Sequence, residues 1–503
     1  MFEKDYDIVI IGSGAGGGAV AKELAPLCRD GLRIAVLEWG PKIRNEEFTG
    51  NEVEMAGRLF VDSGGLLTKD GTMTLAMGKG YGGSTLSYTG TSLIVPEEVI
   101  DRWAVPGLTH SDIKSRAEKY LEENNVHFQP EEAINDNNRL FVKGCKSLGY
   151  RVEQFPLNLK GCRGAGICNL GCPNQAKQGT HLVQLPAAQR EGVEVITNCR
   201  VEHIGIQELE AVVENASFGE PSCWDEGRYR ISAKIIVLCA GAIHSSTLLL
   251  DSGFGDRLPA LGRYLTLHPA LILVGEHPRE ISNFRGHPKS FFCDEFWRSE
   301  RFLLESCMYY PFITAKNLIG FGPEHASLMQ AFPRLQMILV LAIDQAEATN
   351  RVQVDDAGRP IIDYTLSEAT LDSLHRSMEA ASRIFFAAGA ARVHAPAGKN
   401  FFIEAADVDH IEQMIPRNRV VPGRISITSA HMMGGCRMGQ DLSTSVTDVW
   451  GRVHGHPGLY VADSSLFPQA SEINPYVTVM ALADRVAERI RLDAGELLSG
   501  DGS

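Results

Sequence analysis

DYDIVIIGSGAGGGAVAKELAPLC, residues 5–28, runs from a short apolar stretch through a glycine cluster into a helix-patterned segment. Ile8 to Ile11 form the unbroken apolar run that a strand buried on both faces needs. Residues 18–28 repeat small and apolar side chains at helical spacing, and RIAVLEWG, 33–40, predicts a second strand. Strand, helix and strand make a βαβ unit, which implies an α/β fold with a parallel sheet covered on both faces. Between strand and helix, Gly12, Gly14 and Gly17 fit G-x-G-x-x-G. Gly12 allows a tight turn, Gly14 lets a pyrophosphate approach closely, and Gly17 lets helix and strand pack. The helix N-terminus offers free N–H groups to phosphates. Glu38 ends the second strand, where a carboxylate accepts the hydroxyls of an adenosine ribose and repels a 2′-phosphate. This predicts a dinucleotide site without choosing between FAD and NAD.

Further sheet elements follow far apart in the chain. Residues 192–206 read as a strand pair or a strand and turn, and 233–241 as a buried strand. A helix then ends at Gly253, a strand falls within 456–465, and a helix starts at Asn474-Pro475. The first domain is therefore expected to be discontinuous. Residues 284–332 hold eleven of the chain's Phe, Trp and Tyr residues, which predicts a packed sheet, an apolar wall for a substrate, or both.

The net charge of −14, with no Lys/Arg run, argues against nucleic-acid binding. No apolar stretch reaches about 18 residues, so no membrane span is expected, and no secretory signal precedes the first strand. Eleven cysteines in 503 residues do not make a disulfide scaffold, so the expected location is the cytoplasm.

Two more stretches bear on function. GKGYGGSTLSYTG, 78–90, is too rich in glycine for a helix or strand interior and suits backbone pressed against a flat ring or a pyrophosphate. SAHMMGGCRMG, 429–439, sets His431 ahead of Gly434 and Gly435. By itself it reads as a buried histidine beside a glycine turn.

Together these stretches resemble the glucose-methanol-choline (GMC) oxidoreductases. GSGAGGG with Glu38, GKGYGGST, GAIHSSTLLLDSGFG (241–255), LGRYLTLHP (261–269), SAHMMGGCRMG and VADSSLFPQASEINPYVTVMALADRVA occur in the family's order. The closest likeness is to long-chain alcohol oxidases. The resemblance implies a Rossmann-like FAD-binding domain of residues 1–94, 181–280 and 420–503. It also implies an α+β substrate domain on an antiparallel sheet, of residues 95–180 and 281–419. His431 matches the catalytic histidine and Asn474 the second active-site position. Asp463 matches an acidic residue near the flavin's ribityl and pyrophosphate, and Val201 falls where backbone meets adenine. Gly78, Gly82, Gly83 and Ser84 are placed along flavin and pyrophosphate, and Ala15, Ala240, Pro475 and Tyr476 also beside the cofactor. Tyr88 stands where the family often has Asn. The loop has no histidine to tether a flavin, so FAD is expected to be non-covalent.

GCRGAGICNLGCPNQAKQGT, 161–180, resembles segments of the long-chain alcohol oxidases, but Ala165 stands where relatives often have a fourth cysteine. Cys162, Cys168 and Cys172 are read as packed thiols or one disulfide, with no metal. His268 and His244 are read as structural. Asn474 also has the form of a helix N-cap before Pro475. The expected reaction is oxidation of an alcohol: His431 takes the hydroxyl proton as hydride leaves for flavin N5, and the Asn474 amide steadies the oxygen. The expected substrate has an apolar body, long-chain, aromatic or sterol-like, and the acceptor is O2 or a quinone or electron-transfer partner. A sugar or glycoside dehydrogenase is the near alternative, and a flavin-dependent lyase or photoenzyme the distant one.

Overall fold

Strand Phe2–Ile11 lies inside a seven-stranded sheet, as its buried Ile8 to Ile11 require. The computed structural model of the chain describes residues 1–281 and 283–499. The strand pairs in parallel with Ile34–Leu37 on one side and Gly227–Leu238 on the other. Gly227–Leu238 is 12 residues long and serves two further partners. Its first half holds the antiparallel strand Glu208–Val213, and its last three residues hold the parallel strand Leu459–Val461. The stretch 192–206 forms two strands at opposite ends of the sheet: Glu194–Ile196 beside Ile34–Leu37, and Cys199–Ile204 beside Glu208–Val213. Asn198, at φ 54°, turns the chain between them. The helix after the glycine loop spans Ala15–Leu24 and continues as a 3-10 turn, Ala25–Asp30, that Pro26 enters. It packs against the C-terminal helix Tyr476–Ser499.

The second sheet has ten strands. Ala270–Glu276, Leu335–Ala342, Phe302–Cys307 and Phe291–Cys293 lie side by side, antiparallel. One face carries Leu271, Leu273, Leu304, Ile338 and Val340 into a core under helices Asp136–Ser147 and Glu368–Ala388. With the period of two, the other face presents Ala270, Ile272, Cys307, Leu339 and Leu341 to a cavity. Strands Leu66–Leu67, Met73–Leu75, Ala270–Glu276 and Ile427–Ser429 belong to this second sheet, although the segments holding them are expected in the first domain. These strands, three of them only two or three residues long, carry the chain from one sheet to the other. Sheet membership therefore does not follow the boundaries at 94, 280 and 420.

Of the aromatic residues of 284–332, Tyr309, Tyr310 and Phe312 reach the cavity. Phe292, Trp297 and Phe302 are buried in packing, and Phe321 is exposed. The enrichment is thus mainly a packing feature.

Candidate active site

A cavity of about 1000 Å³ opens at the carboxyl ends of the parallel strands and extends to the free face of the second sheet. Such a crevice is where open α/β sheets bind ligands. Gly12, Gly14, Ala15, Glu38, Gly78, Gly83, Ser84, Val201, Ala240 and Asp463 line one part of it; His431, Asn474, Pro475 and Tyr476 line another.

The glycines have separate reasons. At Gly12, φ is 101° and a Cβ would stand 2.4 Å from the Cys239 carbonyl oxygen. At Gly16 a Cβ would be 1.9 Å from the Ala462 oxygen, and at Gly17 1.9 Å from the Gly12 oxygen. Those two let the helix lie against the strand ends. Gly14 differs: its nearest neighbour to a Cβ is the Gly83 Cα at 3.9 Å. It caps helix Ala15–Leu24 without a side-chain hydrogen bond, so the helix meets the cavity with bare backbone. The two glycine loops meet here, since a Cβ on Gly83 would be 2.7 Å from the Gly14 Cα. Gly17 and Gly82, both counted with the cofactor site from the sequence, do not line the cavity; for Gly17 this is the packing role its place in the motif implies, and for Gly82 it departs from the position along the flavin and pyrophosphate. Gly17 is used up in packing, and Gly82 turns at φ 117° against His181. Gly78 and Ser84 close their own loop, the Gly78 N–H donating to Ser84 Oγ at 3.0 Å.

Glu38 is a clamp. Its Oε2 accepts from the Ser13 N–H (3.1 Å) and hydroxyl (2.6 Å), and its Oε1 from the N–H groups of Gly40 (2.8 Å) and Gly80 (3.2 Å). A carboxylate has about four lone-pair sites, so any ribose hydroxyl would have to share them. Burial pushes its pKa up and these hydrogen bonds push it down; burial is the larger effect. Asp463 ties the last strand to helix Gly241–Asp251: its Oδ2 accepts from Gly241 N–H (2.8 Å) and the Ser245 hydroxyl (2.5 Å), and its Oδ1 from Ser465 N–H (2.7 Å). Bare glycine backbone, a helix N-terminus and a cavity running on to an apolar sheet face fit an elongated dinucleotide. Gly12, Gly14, Ala15 and Gly83 would hold its phosphates, and Val201 and Trp39 line the cavity beside Glu38.

At the other end, Thr266–Leu267 pairs antiparallel with Met432–Met433, which sets His268 beside His431. Their Nδ1 atoms are 3.1 Å apart and the rings meet edge to face. The expectation that His268 is only structural missed this, because its partner lies 163 residues away. Burial, then the charges of His268 and Lys289, hold the His431 pKa well below the ordinary 6.5. Burial pulls His268 down to about 3. Gly434 and Gly435 let the chain approach Tyr264 and Ser246: a Cβ on either would stand 2.2 Å from an oxygen of those residues.

Asn474 does not cap the last helix. That helix begins at Tyr476, two residues beyond Asn474, and the buried Asn474 Oδ1 has no hydrogen-bond partner. The side chain is left to the cavity it lines. Tyr476 packs edge-on against Tyr88 (5.0 Å) and its hydroxyl meets Ser92 Oγ at 2.5 Å. The Tyr88 hydroxyl takes a hydrogen bond from Asn158. His244 packs against Trp39 at 5.4 Å with its Nε2 buried and unpartnered.

Cys162, Cys168 and Cys172 are free thiols; no disulfide joins them. Cys172 Sγ accepts from Ala176 N–H and Cys162 Sγ from Gly164 N–H. Among the described residues no group of three or more His, Cys, Asp or Glu is arranged to hold a metal. Sequence reasoning missed the buried Lys177, whose ammonium donates to the carbonyls of Leu86, Tyr88 and Cys168 and so joins this segment to the loop at 78–90. It also missed Lys289 and Glu305, a buried ion pair at the cavity wall. Lys177 lies in the cysteine segment, where the thiols drew the reading, and the pair lies in no recognisable motif.

Models of the N- and C-terminal regions of the GMC oxidoreductases match residues 56–270 and 346–483. An uncharacterized GMC-type oxidoreductase of Mycobacterium tuberculosis is 32% identical over 493 residues, covering 96% of this chain and 75% of the relative. Long-chain-alcohol oxidase FAO4B of Arabidopsis thaliana is 26% identical over 521 residues, covering 96% and 67%. The crystal structure of pyridoxine 4-oxidase from Mesorbium loti superposes with a TM-score of 0.72 at 19% identity, covering 97% of this chain and 99% of that one. A formate oxidase of Aspergillus oryzae gives 0.71 at 13%, covering 98% and 99%. The chain belongs to the GMC oxidoreductase family. It is an FAD-dependent oxidoreductase of CH–OH groups. Among the described residues no helix is long and apolar enough to cross a membrane.

Proposed function

We propose that the chain oxidises an alcohol with an apolar body to an aldehyde or ketone, with His431 as the base and Asn474 as the group that steadies the reacting oxygen. FAD, when bound, supplies the two-electron acceptor for the hydride. The observation that carries the reading is the Nδ1–Nδ1 contact of His431 and His268. One ring must donate and the other accept. When His431 donates from Nδ1, its Nε2 keeps a lone pair for the substrate's hydroxyl proton, and His268 keeps its own proton on Nε2. Burial keeps His431 neutral near pH 7, the form a general base needs. In that arrangement His268 is a positioning residue: its Nδ1 accepts from His431, and its own buried Nε2–H is left without a protein partner.

The Asn474 amide, with an unpartnered oxygen in the same cavity, is free to orient on the substrate. An N–H from it would stabilise alkoxide character as the proton leaves. Ala270, Ile272, Leu339, Leu341 and Met432 give the wall an aliphatic surface, which supports an apolar alcohol over a sugar. The loop at 78–90 has neither His nor Cys, which supports FAD held without a covalent bond. Eleven free thiols support a reducing cytoplasm. The electron acceptor is read as O2 or a quinone or electron-transfer partner.

Anaerobic mixing of the yellow protein with fatty, aromatic, sterol and sugar alcohols tests the reading. Bleaching by an apolar alcohol is expected; bleaching by sugars alone overturns the substrate class, and no bleaching by any alcohol overturns the reaction in favour of a lyase or photoenzyme. Peroxide release against dye reduction separates the acceptors.

A further inference from the structure

The cavity side of the second sheet is largely aliphatic, with Thr74, Thr428 and Cys307 as its small polar groups, and one ion pair is set into it. Glu305 sits on strand Phe302–Cys307 opposite Leu339, with its side chain fully buried. It faces Lys289 in an ion pair, and the Lys289 side chain is only 9% exposed. Lys289 lines the cavity; Glu305 stands behind it. The Lys289 ammonium has three N–H donors. One goes to Glu305, and the remaining two have no protein acceptor among the described residues. Its backbone is fixed as well: the Lys289 N–H donates to His287 Nδ1 at 3.2 Å, and His287 Nε2 meets the Thr89 carbonyl at 2.8 Å, at the end of the second glycine loop. Burying a pair of charges is costly and seldom stabilises a fold relative to apolar residues. An ion pair in the wall of this cavity, with two ammonium donors unmatched by protein acceptors among the described residues, suits recognition of a polar group.

We propose that Lys289 is a specificity residue that hydrogen-bonds a neutral oxygen on the body of the substrate, apart from the carbinol oxygen. The inference rests on the alcohol-oxidation reading above and deepens it: the preferred substrate is an apolar alcohol carrying a second oxygen as hydroxyl, ether or carbonyl. The oxygen is neutral because Glu305 already balances the Lys289 charge, so a carboxylate would bring an uncompensated charge into a buried wall. Glu305 is the positioning partner that holds the ammonium in place.

The test uses the flavin-loaded protein and a series of chain-matched primary alcohols in which an ether oxygen replaces one methylene at successive positions. The 1-fluoro analogues, which lack the reacting hydroxyl, give dissociation constants by calorimetry, and the alcohols give kcat/KM. In the natural protein, one ether position is expected to bind about tenfold or more tighter than the all-carbon chain, the range of a hydrogen bond to a charged donor. In Lys289→Met/Glu305→Met, which replaces the pair with apolar side chains of similar length, that ratio is expected to fall to about one. Lys289→Arg, which keeps both the ion pair and spare donors, is expected to retain it. A flat series in the natural protein overturns the proposal whether or not any variant folds, and so does a preference that survives in the double variant. If the all-carbon alcohol bleaches the flavin while the series is flat, only the Lys289 assignment fails. If no member bleaches it, the alcohol reading fails with it.

Discussion

The nucleotide loop offers a controlled pair of substitutions. Gly14→Ala adds a methyl whose nearest neighbour is the Gly83 Cα at 3.9 Å, an ordinary van der Waals distance. Gly14 has φ −65°, a conformation open to alanine, and its neighbours require no movement. The protein without cofactor should therefore change little, because a gain of roughly 0.4–1 kcal/mol from the stiffer unfolded chain is offset by alanine's poorer fit at the helix N-cap. The same methyl stands between the two glycine loops, where the phosphates would lie, so FAD affinity should fall at least about tenfold, or about 1.4 kcal/mol. Gly16→Ala is the opposite case. Its methyl would sit 1.9 Å from the Ala462 oxygen, so helix and strand must separate, at a cost of roughly 1–3 kcal/mol or more. Urea unfolding of the deflavinated variants measures the first quantity, and FAD titration followed by flavin fluorescence the second. Equal FAD affinity in Gly14→Ala and the natural protein would refute the placement of the phosphates. Equal destabilisation by both substitutions would refute the packing argument.

Three further outcomes follow from the same geometry. Glu38→Ala strips the acceptor from four donors on three loops, and should cost at least about 3 kcal/mol in urea unfolding, while Glu38→Gln, which keeps one oxygen, should cost less. Asn474→Ala removes an amide whose oxygen bonds nothing, so the melting temperature should barely change while turnover falls about 10²–10³-fold; a large drop in melting temperature with turnover intact would make the residue structural. Burial holds His181 and His268 at about 3 and His244, His287 and His394 at about 4, so each is neutral in the folded chain at pH 5 but protonated in the unfolded one. Stability should therefore fall as pH drops below 6.5, by up to about 1.4 kcal/mol per pH unit for each histidine, and a urea midpoint unchanged between pH 7 and pH 5 would contradict this.

The glycine loop and its βαβ unit were legible because their causes are local or fixed by the motif spacing. Gly17 is demanded by the Gly12 oxygen within the strand–turn–helix unit, Gly12 and Gly16 by the Cys239 and Ala462 oxygens of neighbouring strands that the motif spacing anticipates, and the buried run Ile8 to Ile11 announces the strand that precedes them. His431 was legible only through the order of motifs along the whole chain, since its neighbours alone describe a buried histidine. The partnership with His268 was not legible: it depends on the pairing of two-residue strands, too short to carry a periodic pattern. Asn474-Pro475 looked like a cap because the local signature is sound, but the helix starts at Tyr476 and the side chain is left to the cavity. Glu38 read as a ribose ligand because the donors it serves, Ser13, Gly40 and Gly80, are brought together only by the folded loops. Lys289 and Glu305 gave no sign, since a charged residue in an aromatic-rich stretch reads as surface until the strand register turns it inward.

The most direct test of the central claim is anaerobic rapid mixing of the flavin-loaded His431→Gln variant with a reactive alcohol. A base at His431 Nε2 predicts normal FAD content and flavin reduction slowed about 10²–10⁴-fold. It also predicts that the natural protein shows no loss of reduction rate on acidification until the pH is well below 6.5, because burial keeps the imidazole unprotonated there. Reduction in His431→Gln within a few-fold of the natural rate would contradict the account.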